Sequence, residues 1–117
     1  MGKVVKMKED ASGHVQVKRK LQEFINAGLL EDEACNHFAE VKDVVPSAKG
    51  CEDCLKLGEE WVYLRLCLEC GHVGCCDNSK NKHATRHFHE SKHPVIMSYE
   101  EGEEWMWCYA DEMGIHS

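Results

Sequence analysis

Between Val15 and Ala27 the apolar residues Val17, Leu21, Phe24 and Ile25 recur at i, i+4, i+7 and i+8. That spacing predicts an amphipathic helix with these four residues on one buried stripe, closed by Gly28 just beyond its end. From Trp61 the period changes to two. Val62, Leu64, Leu66 and Leu68 alternate with Trp61, Tyr63 and Arg65 in WVYLRLCLEC, so a strand should send four aliphatic side chains into the core and the other three outward. Asp77 to Ser91 lacks this alternation and suits a helix capped by Asn78 or Ser79. PVIMSY, 94–99, reads as a second strand, and the acidic turn EEGEE leads into Trp105-Met106-Trp107-Cys108.

Composition adds a constraint that the pattern alone does not carry. A chain of 117 residues makes one small domain, and its eight cysteines and eight histidines are far above ordinary use. Domains with thin cores usually need staples, either disulfides or metal. MGKVVKMKED has no apolar run suited to a signal peptide, and Lys6 breaks the myristoylation pattern that Gly2 would begin. No stretch reaches the ~18 apolar residues of a membrane span, so no membrane partner is expected. The chain reads as cytoplasmic, where disulfides are rare and clustered cysteines more often bind metal. A net charge of -7 repels phosphate backbones and argues against nucleic acid. Lys18-Arg19-Lys20 is the one basic run and reads as the solvated face of the first helix.

The cysteine spacing points to zinc. CEDC (Cys51, Cys54) and CLECG (Cys67, Cys70) are C-x-x-C pairs, in which a tight turn aims two thiolates at one ion. In an extended strand Cys67 and Cys70 would face opposite sides. The chain must therefore turn at Leu68-Glu69, with Gly71 supplying the backbone freedom. Further donors are Cys35 and His37, the vicinal Cys75 and Cys76, His83, His87, His89, His93, Cys108 and Asp111.

HESKH, residues 89–93, matches the letters of a metalloprotease helix. Pro94 biases His93 away from helical backbone, which would part the two histidines. The abundant thiolates also suit closed structural sites better than an open catalytic one. The deaminase order H-x-E…P-C-x-x-C is absent, and no nucleophilic triad remains once the donors are assigned, so no enzyme is expected.

The ordered series C-x-H, C-x-x-C, W-V, C-x-x-C, C…H-x₃-H-x₅-H-P and W-C, from Cys35 to about Asp111, resembles the UBP-type zinc finger. GCCDNSKNKHATRHFH and the ending WMWCYADE are similar to its stand-alone prokaryotic branch. The resemblance implies an α+β fold, a small twisted antiparallel β-sheet with flanking helices, stabilised by zinc. Residues 1–14, ending in Ala11-Ser12-Gly13, are expected to form a flexible arm and 15–34 a helix packing on the finger, which the resemblance places at 35–117.

The same resemblance implies interleaved sites. One zinc would take Cys51, Cys54, Cys75 and His83; a second would take Cys67, Cys70, His87 and His93. A third would take Cys35, His37, Cys108 and Asp111, the last standing where the family has cysteine. Cys76 is the alternative to Cys75. His72 and His89 are expected at the surface or behind the ligands, and His14 and His116 in solvent.

Family members bind the C-terminal Gly-Gly tail of ubiquitin in an aromatic pocket, with an arginine gripping the tail. Trp107 and Tyr109 match two of the aromatic positions, but the arginine position is Asp77 and its usual tyrosine neighbour is Asn78. A carboxylate facing a carboxylate argues against ubiquitin itself. The strand's outward face suggests a substitute, an aromatic groove of Trp61, Tyr63, Arg65, Trp107 and Tyr109 for an extended peptide or protein C-terminus. The alternatives are that Trp61 and Tyr63 pack under the first helix, that the domain is purely structural, or that Cys76 serves a thiol-based zinc or redox sensor.

Overall fold

The computed structural model describes residues 13–29, 36–77, 79–100, 103 and 105–116. Most of the expected arm, together with Cys35 and Asn78, lies outside these residues. The architecture is α+β. Five antiparallel strands, β1 (Leu64–Cys67), β2 (Val73–Cys75), β3 (Val95–Ser98), β4 (Trp105–Cys108) and β5 (Met113–His116), form one sheet in the order β2-β1-β3-β4-β5. Three helices flank it: α1 (Val17–Asn26), α2 (Glu52–Leu57) and α3 (His83–Ser91), with a 3₁₀ turn at Asn36–Glu40. Among the described residues no helix is long and apolar enough to cross a membrane.

Register divides the sheet into two unlike faces. Leu66 opposes Met97, Met97 opposes Met106, and Met106 opposes Ile115, so these four lie side by side on one face. All are buried and join Val17, Phe24, Phe38 and Val73 in the core. By strand alternation the other face carries Arg65, Cys67, Gly74, Ile96, Trp105 and Trp107. Helix α3 covers part of that face at Gly74, where an added Cβ would lie 2.7 Å from the Ala84 backbone nitrogen.

Helix α1 ends as its sequence predicts. Gly28 takes φ 76°, its N–H reaches Ile25 O at 3.0 Å, and the Leu29 N–H reaches Phe24 O at 2.9 Å. These two bonds satisfy carbonyls that the last turn would otherwise leave open. Val17 and Phe24 are buried and Leu21 half-buried, but Ile25 is 43% exposed, so the buried stripe is narrower than expected.

The strand beginning at Trp61 is also shorter than its alternation suggests. Leu64, Leu66 and Leu68 are buried, whereas Val62 is 51% exposed. Ladder pairing starts only at Leu64, opposite Cys75. Before it, the Val62 N–H donates to the Ser79 hydroxyl at 2.7 Å, so no neighbouring strand covers the Val62 side chain. Ser79 is thereby used as a bridge and not as a helix cap. Residues 79–82 lie outside the helix, and α3 begins at His83, whose N–H donates to Cys75 Sγ at 3.2 Å.

Candidate metal centres and an aromatic groove

Two C-x-x-C turns bring their sulfurs to the sheet by different routes. Cys51 caps the short helix α2, accepting the Cys54 N–H on its sulfur at 3.4 Å. Cys67 ends β1, and the turn after it closes with the Gly71 N–H on Cys67 O at 3.0 Å. Gly71 has φ 85°, and a side chain there would collide with the Val45 carbonyl.

The first cluster comprises Cys51, Cys54, Cys75 and His83, all buried. His83 Nδ1 lies 3.2 Å from Cys51 Sγ, 3.3 Å from Cys54 Sγ and 3.5 Å from Cys75 Sγ; Cys54 and Cys75 are 3.9 Å apart. A tetrahedral zinc with Zn–S of ~2.3 Å and Zn–N of ~2.0 Å sets ligand edges of about 3.5 Å for S···N and about 3.8 Å for S···S. The observed spacings fit that tetrahedron. Burial pushes the metal-free Cys51 thiol up to about 12, so Cys51 stays protonated until a cation takes the proton's place.

The second cluster comprises Cys67, Cys70, His87 and His93, with Cys70 exposed and the histidines half-buried. Cys70 Sγ is 3.3 Å from His87 Nε2, and Cys67 Sγ is 3.6 Å from His93 Nδ1. Desolvation pushes the Cys67 thiol up to about 11 and lowers His87. His83 and His87 are one helical turn apart yet serve different clusters, so α3 ties the two together. His87 also stacks on His72, with ring centroids 4.1 Å apart, and His72 Nε2 pairs with Asp53 Oδ2 at 3.0 Å. Asp53 lies within the first C-x-x-C turn, so this pair braces one cluster against the other.

The metalloprotease letters do not form a site. Lys92 ends α3 in a left-handed conformation (φ 67°), which turns His93 into the second cluster while His89 stays exposed.

A third group is more exposed than the first. His37 Nδ1 is 3.4 Å from Cys108 Sγ and 2.9 Å from Asp111 Oδ2, a hydrogen-bond length at which the imidazole N–H donates to the carboxylate. The His37 and Asp111 side chains are 35% and 42% exposed. Cys35, the expected fourth donor, is outside the described residues.

The chain matches the family model described as "Zn-finger in ubiquitin-hydrolases and other protein" over residues 51–117. It belongs to this zinc-finger family. Together with the two four-donor clusters, this places Zn²⁺ at two sites. Among curated proteins it is similar to the NAD-dependent deacetylase sir2A of Dictyostelium discoideum, 33% identical over 57% of this chain and 12% of that protein. It is also similar to ubiquitin carboxyl-terminal hydrolase 44 of Xenopus tropicalis, 38% identical over 55% of this chain and 9% of that protein. The chain thus spans about a tenth of the length of these relatives. Among solved structures it resembles protein RPA1320 from Rhodopseudomonas palustris, with TM-score 0.67 and 55% identity, covering 74% of this chain and 84% of that one.

The aromatic groove expected on this finger differs in membership from the sequence reading. A cavity of about 330 Å³ on the outer sheet face is lined by Arg65, Cys76, Asp77, Ile96, Trp105, Met106, Trp107 and Tyr109. Trp61 and Tyr63 do not line it, because the chain leaves the ladder before Leu64. Trp61 packs over Gly50 and borders a separate hollow with Glu59, Glu60 and Val62, while Tyr63 is 43% exposed. Trp105 takes their place. Its position was available in the sequence, since in WMWC it shares the parity of Trp107. Of the vicinal cysteines, Cys75 joins the first cluster and Cys76 faces the Ser79 hydroxyl at 3.8 Å.

Proposed function

We propose that the chain is a zinc-stabilised recognition module whose outer sheet face binds an extended peptide segment of another protein, without catalysis of its own. The groove carries this reading. Rigid aromatic side chains offer large contact area at low entropic cost, and polar groups at the rim can orient a peptide backbone. Arg65 lies 4.6 Å over the Trp105 ring, and Tyr109 stacks on Phe88 of α3 at 4.8 Å, so the walls are held in place before any ligand arrives. Similar stretches occupy about a tenth of a deacetylase and of a ubiquitin hydrolase, enzymes of unlike chemistry. A shared part in such different enzymes suits binding better than catalysis.

The relatives' names make a ubiquitin-like tail the first ligand to consider, but Asp77 opposes a terminal carboxylate at its end of the groove. The sensor reading gains nothing from Cys76, which is 4% exposed. We also infer ligand roles for the eight residues of the two complete clusters, and a third, weaker zinc at His37, Cys108 and Asp111. The binding test is an NMR titration of the zinc-loaded chain with short peptides, with shifts expected at the Trp105 and Trp107 indoles and at Tyr109. A flat response at those residues across capped, cationic, anionic and Gly-Gly-ended peptides would sink the proposal.

A further inference from the structure

We propose that the groove selects a cationic side chain, lysine or arginine, and holds its charge between the Asp77 carboxylate and the Trp107 and Tyr109 rings. This rests on the peptide-binding reading above and names the chemistry of the peptide.

The argument begins with which charges in the groove are already answered. The Arg65 guanidinium donates to Leu64 O at 3.0 Å, lies 3.7 Å from Glu103 Oε1 and sits over Trp105. Its side chain is only 16% exposed. That cation therefore has a carbonyl, a carboxylate and a ring as partners within its own fold. Asp77 differs. Its Oδ1 accepts a hydrogen bond from the Thr85 hydroxyl at 2.6 Å, and among the described residues it pairs with no cation. The bond to Thr85 anchors it to α3 beside Tyr109, whose hydroxyl lies 3.3 Å from the same Thr85 oxygen.

A carboxylate on the rim of a cavity lined by indole and phenol rings is a site for a cation. The ring faces attract positive charge through their quadrupoles, and the carboxylate adds a direct ion pair. A terminal carboxylate at the same place would meet repulsion from Asp77 and little help from Arg65. The rest of the chain agrees in sign. A net charge of -7 draws basic segments towards the domain and repels acidic ones.

The test uses the zinc-loaded full chain and three pentapeptides with acetylated and amidated ends, Ala-Gly-X-Gly-Ala, in which X is lysine, norleucine or glutamate. Binding is followed by calorimetry and by the Trp105, Trp107 and Tyr109 resonances. The lysine peptide is expected to bind about tenfold more tightly than the norleucine peptide, and the glutamate peptide most weakly. Asp77→Asn should remove about tenfold from lysine binding while leaving norleucine binding and the zinc count unchanged. Asp77→Arg should reverse the order of lysine and glutamate.

Equal binding of lysine and norleucine peptides in the groove overturns the cation inference and leaves the peptide reading standing. Tighter binding of the glutamate peptide overturns it as well and transfers the selecting role to Arg65. Groove resonances that respond to none of the three, nor to an uncapped Gly-Gly tail, remove both. The comparison of lysine with norleucine needs no variant, so it decides the matter even if an Asp77 substitution fails to fold.

Discussion

The Cys51–Cys54–Cys75–His83 cluster and the His37–Cys108–Asp111 group draw on overlapping donor types, yet they sit in different surroundings. In the first, every donor is buried and spaced as a tetrahedral ion requires. In the second, His37 and Asp111 are more than one-third exposed and already bonded to one another. Burial makes the first cluster part of the core, so its zinc belongs to the folding energy. Exposure makes the second a local tie, which water can replace at little cost. The difference teaches that ligand identity sets what a site can bind, while its surroundings set how much the fold depends on it.

Stripping zinc tests the comparison most severely. Structural zinc contributes apparent energies of ~10–16 kcal/mol, whereas whole domains are stable by only ~5–15 kcal/mol. A strong chelator should therefore abolish the dispersed NMR spectrum, and a metal-free chain that kept its sheet would erase the distinction drawn here. Next in size, Cys54→Ser should prevent cooperative folding at 25 °C, as followed by circular dichroism. Asp111→Ala should lower the melting temperature by only about 4–8 °C, for a loss near 1 kcal/mol. In native mass spectrometry that variant should lose one weakly held zinc and keep two. Unfolding of both variants alike would break the contrast.

Acid should act through the same sites. The Cys51 and Cys67 thiols are pushed up by burial when metal-free, so they carry protons at neutral pH. Loading zinc should therefore release protons from these thiols in an unbuffered titration. The zinc-bound fold then holds fewer protons than the unfolded chain. Its stability should be fully present above the ordinary thiol range near ~8.5 and be lost as pH falls, together with zinc. The smallest effect is expected at Val62→Ser, within about 0.5 kcal/mol because Val62 is exposed. A larger loss in urea denaturation would restore the four-residue strand face that the sequence suggests.

Much of the molecule was legible in its residues. The stop of α1 at Gly28 follows from local backbone chemistry, and so does the turn of Cys67 and Cys70 about Gly71. Leu64, Leu66 and Leu68 read correctly as core. The alternation failed from Trp61 to Tyr63, and the helix start failed at Asp77, for one shared reason: the Ser79 hydroxyl bridges 17 residues to the Val62 N–H. β5 passed unseen because Met113-Gly114-Ile115-His116 is too short for its alternation to stand out, and it takes its strand form from pairing with β4. The groove's membership depended on the same end of β1.

By itself, the order of cysteines and histidines determined that this chain gathers zinc, because two-residue spacing aims a pair of sulfurs at one ion wherever the turn lies. Which side chains share the outer sheet face was decided only in three dimensions. Strand alternation places a residue inside or outside only where a partner strand is present, and partners are distant in sequence. The grouping of Arg65, Trp105, Trp107 and Tyr109 around Asp77 therefore appeared only once β1, β4 and α3 were assembled.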